Sequence, residues 1–374
     1  PLCISAHAQN AGSKLPFAFE DPRMDAYLRN RKPVNLTIQI NNAPDSSRKT
    51  SIKCTFVTFG SNFQKTKYYT TDENGSAKIT LDQNLPYQQI WLAVGNYLYA
   101  GAYVNMGLTI TIDAAKIKSG DGIYMIGDGV TYSGTDGKFN TVMNKHVLYM
   151  QDERNKLGNE LRSLAMKKKQ YSEAEFLSRN DSIYKAISAI DDEFISQYPD
   201  YKWAIQNELL ANYYGILCID YWFDKMPNSL FRKINAFSPY FTSNDGVLFY
   251  NYFFDYLFDK KDNPHISIDD ELEKNYSSYD NDHKAFLDSL KYYSALPAKE
   301  NKDALKALLK KRQELFYNEI ATINTRNRLH VIDSIYASPK SDILKTFLLK
   351  EEKDAFAQTY PYVLSSMHTK WYKN

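Results

Sequence analysis

The side chains best suited to chemistry here are six histidines, three cysteines and two short acidic runs. His7, His146, His265, His283, His330 and His368 are scattered along the chain, with no His-Glu-x-x-His and no Cys/His set at zinc spacing. His146 lies beside an apolar helical stripe and reads as an interfacial or core histidine. His265 and His283 bracket Asp269, Asp270 and Glu271, a metal set only if the fold brought them together. The runs Asp191-Asp192-Glu193 and Asp269-Asp270-Glu271 could serve glycoside hydrolysis if two carboxylates were held at the right separation. Adjacent acids on a helix point in different directions, however, and such runs are usually solvated faces. Asp121, Asp128 and Asp136 each precede a glycine. Calcium wants such oxygens, but Asp-Gly is also the favoured tight turn, because glycine accepts a positive φ; the turn reading prevails. There is no phosphate-binding loop, no G-x-G-x-x-G after a strand and no G-x-S-x-G elbow. No catalytic, cofactor-binding or metal-ligating residue is assigned.

Cys54 alternates onto the apolar face of SIKCTFV, and Cys218 sits in the nearly all-apolar LLANYYGILCIDYWF. Both read as small buried hydrophobes, and whether they pair is open. Neither has a C-x-x-C partner. Aromatic residues make up 14% of the chain, with 30 Tyr. Most fall at helical spacing and read as packing between helices. Tyr68, Tyr69, Tyr97, Tyr99 and Tyr103 instead cluster around turns of a β region. They form either a stacking surface for a glycan or peptide or cross-strand pairs. Pairing is the leading reading.

These residues must be positioned by two kinds of element. Five short alternating segments, VNLTIQI, SIKCTFV, SAKITL, QQIWLAV and GLTITID, are separated by turn signals and predict an antiparallel β-sandwich over 33–134. From 135 to 374 the apolar period becomes helical. One stripe runs from Phe139 to Leu164. Ser172 and Glu175 form a capping box for the next helix. A buried helix follows from Trp203 to Trp222, and further helices are expected over 245–259, 282–293, 299–322, 341–349 and from 361 onward. The charged stretch 260–282 is expected to be a surface loop. The fold class is thus α+β, a sandwich followed by an all-α domain. The formal charge of +2 lacks the concentrated basic field of a nucleic-acid binder. No apolar run approaches the roughly 20 residues that span a bilayer. The opening PLCISAHA (1–8) has the small-x-small pattern of an export-signal cleavage site at Ala6 and Ala8, and 9–32 reads as a polar lead-in.

The turn Thr71-Asp72-Glu73-Asn74-Gly75, the segments IWLAVGNYLYAG and GLTITIDAAKI, and GTDGKFNTVMNK opening the helical part come in an order that resembles a known family. They are similar to the N-terminal region of the TlpA-type, thioredoxin-like disulfide reductases exported by Bacteroidetes. The resemblance implies a periplasmic or cell-envelope location and an accessory role. In that role the chain positions a downstream thioredoxin domain or recognises protein clients. The family's C-x-x-C is absent here, so no catalytic residue carries over. The alternative is an independent periplasmic or cell-surface binding protein for a glycan or peptide.

Overall fold

The computed structural model describes residues 32–44, 49–58, 64–81, 87–117, 125–222, 224–240, 243–260, 266–296 and 298–337, together with 345 and 349. The signal remnant, all but the last residue of the lead-in, the Asp121 turn, His7, His265, His368 and the helix expected from 361 lie outside them.

Among the described residues eight strands come first: β1 (Val34–Asn41), β2 (Ser51–Val57), β3 (Gln64–Thr70), β4 (Ser76–Leu81), β5 (Gln88–Val94), β6 (Leu98–Val104), β7 (Leu108–Asp113) and β8 (Val130–Ser133). They make two four-stranded sheets, ordered β4-β1-β7-β8 and β3-β2-β5-β6. The five expected strands are found within a residue of their expected ends. One pairing departs from an antiparallel sandwich: β1 and β7 run parallel, Leu36 opposite Leu108 and Ile40 opposite Ile112. Strict alternation puts one face of each sheet inward. Leu36, Ile38, Ile110 and Ile112 from the first sheet meet Ile52, Cys54, Ile90, Leu92 and Val94 from the second, all fully buried. The Asp72–Gly75 turn ends as its sequence requires. Asp72 Oδ1 accepts the amides of Asn74 and Ser76, both at 2.9 Å, and Gly75 has φ +73°. A Cβ there would lie 2.5 Å from the Ile40 carbonyl oxygen.

Ten α-helices follow among the described residues: α1 (Gly137–Leu148), α2 (Gln151–Met166), α3 (Glu173–Gln197), α4 (Lys202–Asp220), α5 (Asn228–Ala236), α6 (Asn244–Lys260), α7 (Ile268–Lys274), α8 (Asn281–Ala295), α9 (Ala298–Leu315) and α10 (Tyr317–Ala337). The long Phe139–Leu164 stripe is two helices, because Met150 takes φ +44° between them. Ser172 caps α3 as expected, its Oγ accepting the Glu175 amide at 3.3 Å. The expected loop over 260–282 is corrected. It carries α7, which Ser267 caps through the Asp270 amide and which buries Leu272. The helix expected over 299–322 is α9 and α10, which meet at the buried Phe316.

The described chain falls into two compact units that part between Tyr256 and Leu257. The change from strand to helix at 134/135 lies inside the first unit. The second holds α7 to α10 around Leu272, Phe286, Leu290, Phe316 and Ile320.

Two devices fasten the helices of the first unit to the second sheet. Asp136, just before α1, is 1% exposed, and its Oδ2 accepts the amides of Asn105, Met106 and Gly107 at 2.7, 2.7 and 2.8 Å. One turn on, Asn140 receives the Tyr103 amide and donates to the Tyr103 carbonyl, both at 2.7 Å. Asn144 donates to the Gly101 carbonyl at 3.0 Å. Asparagines at i and i+4 share a helix face, so α1 supplies the hydrogen bonds of a missing neighbour strand and closes the β6 edge. The opposite edge, β3, is exposed except at Tyr69 and carries Lys65 and Lys67, charges that discourage edge-to-edge pairing.

Candidate functional site

The outer face of the second sheet follows from the same alternation that builds its core. β5 turns Gln89, Trp91 and Ala93 outward, β6 turns Tyr99, Gly101 and Tyr103 outward, and β2 contributes Lys53 and Thr55. Register sets Lys53, Ala93 and Tyr99 in one row and Thr55, Trp91 and Gly101 in the next. The Trp91 and Tyr99 rings lie 6.0 Å apart and nearly parallel, at 17°. Gly101 leaves them room: a Cβ there would stand 2.9 Å from Gln89 Nε2 and 3.8 Å from Trp91 Cζ3. A glycine inside a strand often marks such a close approach.

Next to this shelf comes the start of α6. The Asn244 amide donates to Gln89 Oε1 at 2.7 Å, a contact between residues 155 apart in sequence. The result is a cleft of about 270 Å³ lined by Lys53, Thr55, Gln64, Trp91, Ala93, Tyr99 and Asn244. Thr55 Oγ1 is engaged with Thr66 Oγ1 at 2.9 Å. The amides of Gln64 and Asn244 and the Lys53 ammonium supply the remaining polar lining.

A polar cluster behind Asn244 holds the helix start in place. Ser243 Oγ donates to Glu208 Oε1 at 2.5 Å and accepts the Gly246 amide at 3.0 Å. The Tyr240 amide donates to Asn207 Oδ1 at 2.8 Å, and Asn212 donates to Asp245 at 3.1 Å. Burial, with Asp245 close by, pushes the Glu208 carboxyl well above the usual carboxylate range. Burial pushes Asp245 up too, against its bonds to Asn212 and Asn244. Burial thus favours the protonated form of Glu208, which the Ser243 hydroxyl holds in the cluster.

The five tyrosines singled out in the sequence separate. Tyr99 lines the cleft and is 39% exposed. Tyr68 is 70% exposed on β3, opposite Lys53. Tyr69 and Tyr97 pack against the sandwich core. Tyr103 is corrected as a surface residue. It is buried edge-on against Phe139 at 5.4 Å, in an aromatic layer with Tyr87, Tyr201 and Trp203 beneath the helices. Trp91, Lys53, Gln64 and Asn244 were not singled out as ligand contacts, because only the strand pairing and the α6 contact bring them together.

The other candidates are structural. His146 Nε2 lies 2.8 Å from Asp191 Oδ1, with Arg154 at 3.6 Å from the same oxygen. Arg154 also donates to the His146 carbonyl at 2.7 Å. Burial holds His146 below the usual histidine range, so it is a neutral partner between α1 and α3. Of the acidic run, Asp191 is buried, while Asp192 accepts from Gln206 at 3.3 Å at the surface. His283 bonds Asp280 at 2.7 Å at the start of α8, and Asp269 pairs with Arg312. Cys54 and Cys218 are free and buried. Burial pushes the Cys54 thiol up to about 12 and raises Cys218 as well, so neither is a nucleophile at neutral pH. A second cleft, of about 360 Å³, lies along α2 and α3 beside Lys167, Tyr171 and Arg179. There Arg179 is already committed to Glu175 at 2.9 Å and stacks on Tyr171 at 4.6 Å. Among the described residues, no group of three or more His, Cys, Asp or Glu is placed to hold a metal ion. No described helix is long and apolar enough to cross a membrane.

No protein-family model, curated protein or solved structure matches this chain.

Proposed function

We propose that the chain is a non-catalytic binding module of an exported, cell-envelope protein, and that the Trp91–Tyr99 cleft receives one residue of a glycan or peptide. The observation that carries this reading is the near-parallel ring pair standing open beside the Gln64 side chain and the Lys53 ammonium. Paired aromatics in a sheet ordinarily gain by mutual packing and burial. Here an exposed Tyr, a half-buried Trp and a mid-strand Gly instead frame a space of about 270 Å³, just under the ~300–1,000 Å³ typical of ligand pockets. That volume suits a single ring, not an oligomer lying full length. The test is a tryptophan-fluorescence titration with envelope polysaccharides and their fragments, with Trp91→Ala beside the wild type. Saturable quenching that Trp91→Ala removes is expected; no response to any glycan or peptide would overturn the proposal.

A second reading keeps the accessory role beside a thioredoxin-like domain, with the cleft holding a client segment. It is favoured by the burial of both described thiols, which leaves the described part of the chain without a reactive sulfur of its own. The coding sequence past Asn374 tests it. A thioredoxin domain with a C-x-x-C supports it, and a stop codon there removes its main support.

A further inference from the structure

Resting on the cleft reading above, we infer that the residue it takes is an acidic sugar, a pyranose ring bearing a carboxylate. Three features of the lining set this chemistry. The Trp91 and Tyr99 rings present a flat apolar surface, which suits the C–H face of a pyranose. Ala93 is the one aliphatic side chain among the lining residues, so a branched apolar side chain would find little to pack against. The periphery is polar, with Gln64 and Asn244 offering donors and acceptors to ring hydroxyls.

Charge narrows the class. Among the described lining residues, Lys53 is the only ionisable group other than the Tyr99 phenol. It stands two strands from Tyr99 in the same row, with Ala93 between them and Tyr68 on its other side. No hydrogen bond or ion pair engages its ammonium among the described residues. The lysines of the β3 edge belong to the opposite side of the sheet, since Lys67 is opposite the inward Cys54 and Lys65 opposite Phe56. No acid is among the described residues that line the cleft. A carboxylate on the stacked ring would therefore meet an available cation at the rim, and a charge-assisted hydrogen bond is about twice as strong as a neutral one.

Binding of glucuronic acid, of glucose and of a blocked Asp-Tyr dipeptide to the whole chain tests this, read by calorimetry and Trp fluorescence at low salt. Glucuronic acid should bind about tenfold more tightly than glucose. Lys53→Gln should erase that preference, and Trp91→Ala should weaken the binding of both sugars. Equal affinity for the two sugars, or a preference that survives Lys53→Gln, overturns the acidic-sugar inference but leaves the cleft standing. Tighter binding of the dipeptide than of either sugar overturns it in favour of a peptide ligand. No binding by any of the three, with Trp91→Ala silent, overturns the inference and the cleft reading together.

Discussion

Asp220, the last residue of α4, should make the protein less stable as pH rises, and Asp220→Asn should remove that dependence. Its Oδ2 is buried without a hydrogen-bond partner. The nearby Lys168 is already spent: its ammonium donates to the Asp220 carbonyl at 2.7 Å and to Asp224 at 2.8 Å, and it lies 3.6 Å above the Tyr221 ring. Burial outweighs this cation and pushes the Asp220 carboxyl from 3.8 up to about 7. A raised carboxyl pKa means the folded state binds the proton more tightly than the unfolded chain does. The protonated form is thus favoured, its stabilisation is fully present below about pH 4, and it is lost as pH climbs through 7. At about 1.36 kcal/mol per unit, the shift corresponds to about 4 kcal/mol; solvent reaching the half-buried group brings this to about 2–4 kcal/mol. Urea unfolding followed by Trp fluorescence, for wild type and Asp220→Asn between pH 4.5 and 8.5, measures it. The asparagine has its own unmet donors, so the offset at one pH is not decisive. The difference between the two proteins should shift by at least 2 kcal/mol in favour of the variant as pH rises. A difference that stays flat across that range refutes the argument.

Three further substitutions test the joints of the first unit. Asp136→Ala removes the acceptor of three backbone amides, and should cost about 3–5 kcal/mol in urea unfolding, with Asp136→Asn losing clearly less because its amide oxygen can keep some of those bonds. Asn140→Ala removes the Asn140 side-chain bonds to the amide and carbonyl of Tyr103, and should cost about 2–4 kcal/mol and raise hydrogen exchange along β6. Gly101→Ala places its Cβ against the flexible end of Gln89. It should cost only about 1 kcal/mol in thermal unfolding while displacing the Gln89–Asn244 contact, which amide exchange at Asn244 would report.

What could be read from the sequence depended on whether a segment hides an apolar face. β1, β2, β4, β5 and β7 alternate cleanly and were legible to within a residue. β3, QKTKYYT, was not, because an exposed edge strand has no buried face to pattern. β6, LYAGAYV, turns Leu98, Ala100, Ala102 and Val104 inward, but its outward tyrosines and small alanines blur the alternation. The break at Met150 left no mark, since the apolar stripe continues through it. α7 shows only one buried residue, Leu272, in a charged run, so the Ser267 cap was its sole signal. Among site residues, the burial of Cys54, Cys218 and His146 was legible from the apolar context of each. Tyr99 was legible as a type, but its partners were not. Trp91 becomes its neighbour only through the β5–β6 register, and Asn244 only through α6 docking on Gln89.

That docking contact ties binding to stability. Gln89 belongs to the outer face of the sheet, yet its carbonyl oxygen anchors the first amide of α6, while Ser243 and Glu208 brace the same helix start from behind. The cleft's polar rim is therefore also a joint between sandwich and helices. A ligand that bonds Asn244 and stacks on Trp91 adds contacts to both sides of that joint and exists only when the joint is closed. Such a ligand raises the unfolding temperature with concentration, as anything that binds only the folded state must. Gln89→Leu separates the two roles. It leaves Trp91, Tyr99 and Lys53 in place but takes away the acceptor of the Asn244 amide. If the joint positions the rim, this variant should lose both about 1–2 kcal/mol of stability and the greater part of the ligand-induced rise in unfolding temperature. A variant that loses stability but keeps the full ligand-induced rise would show that the rim is set by the sheet alone.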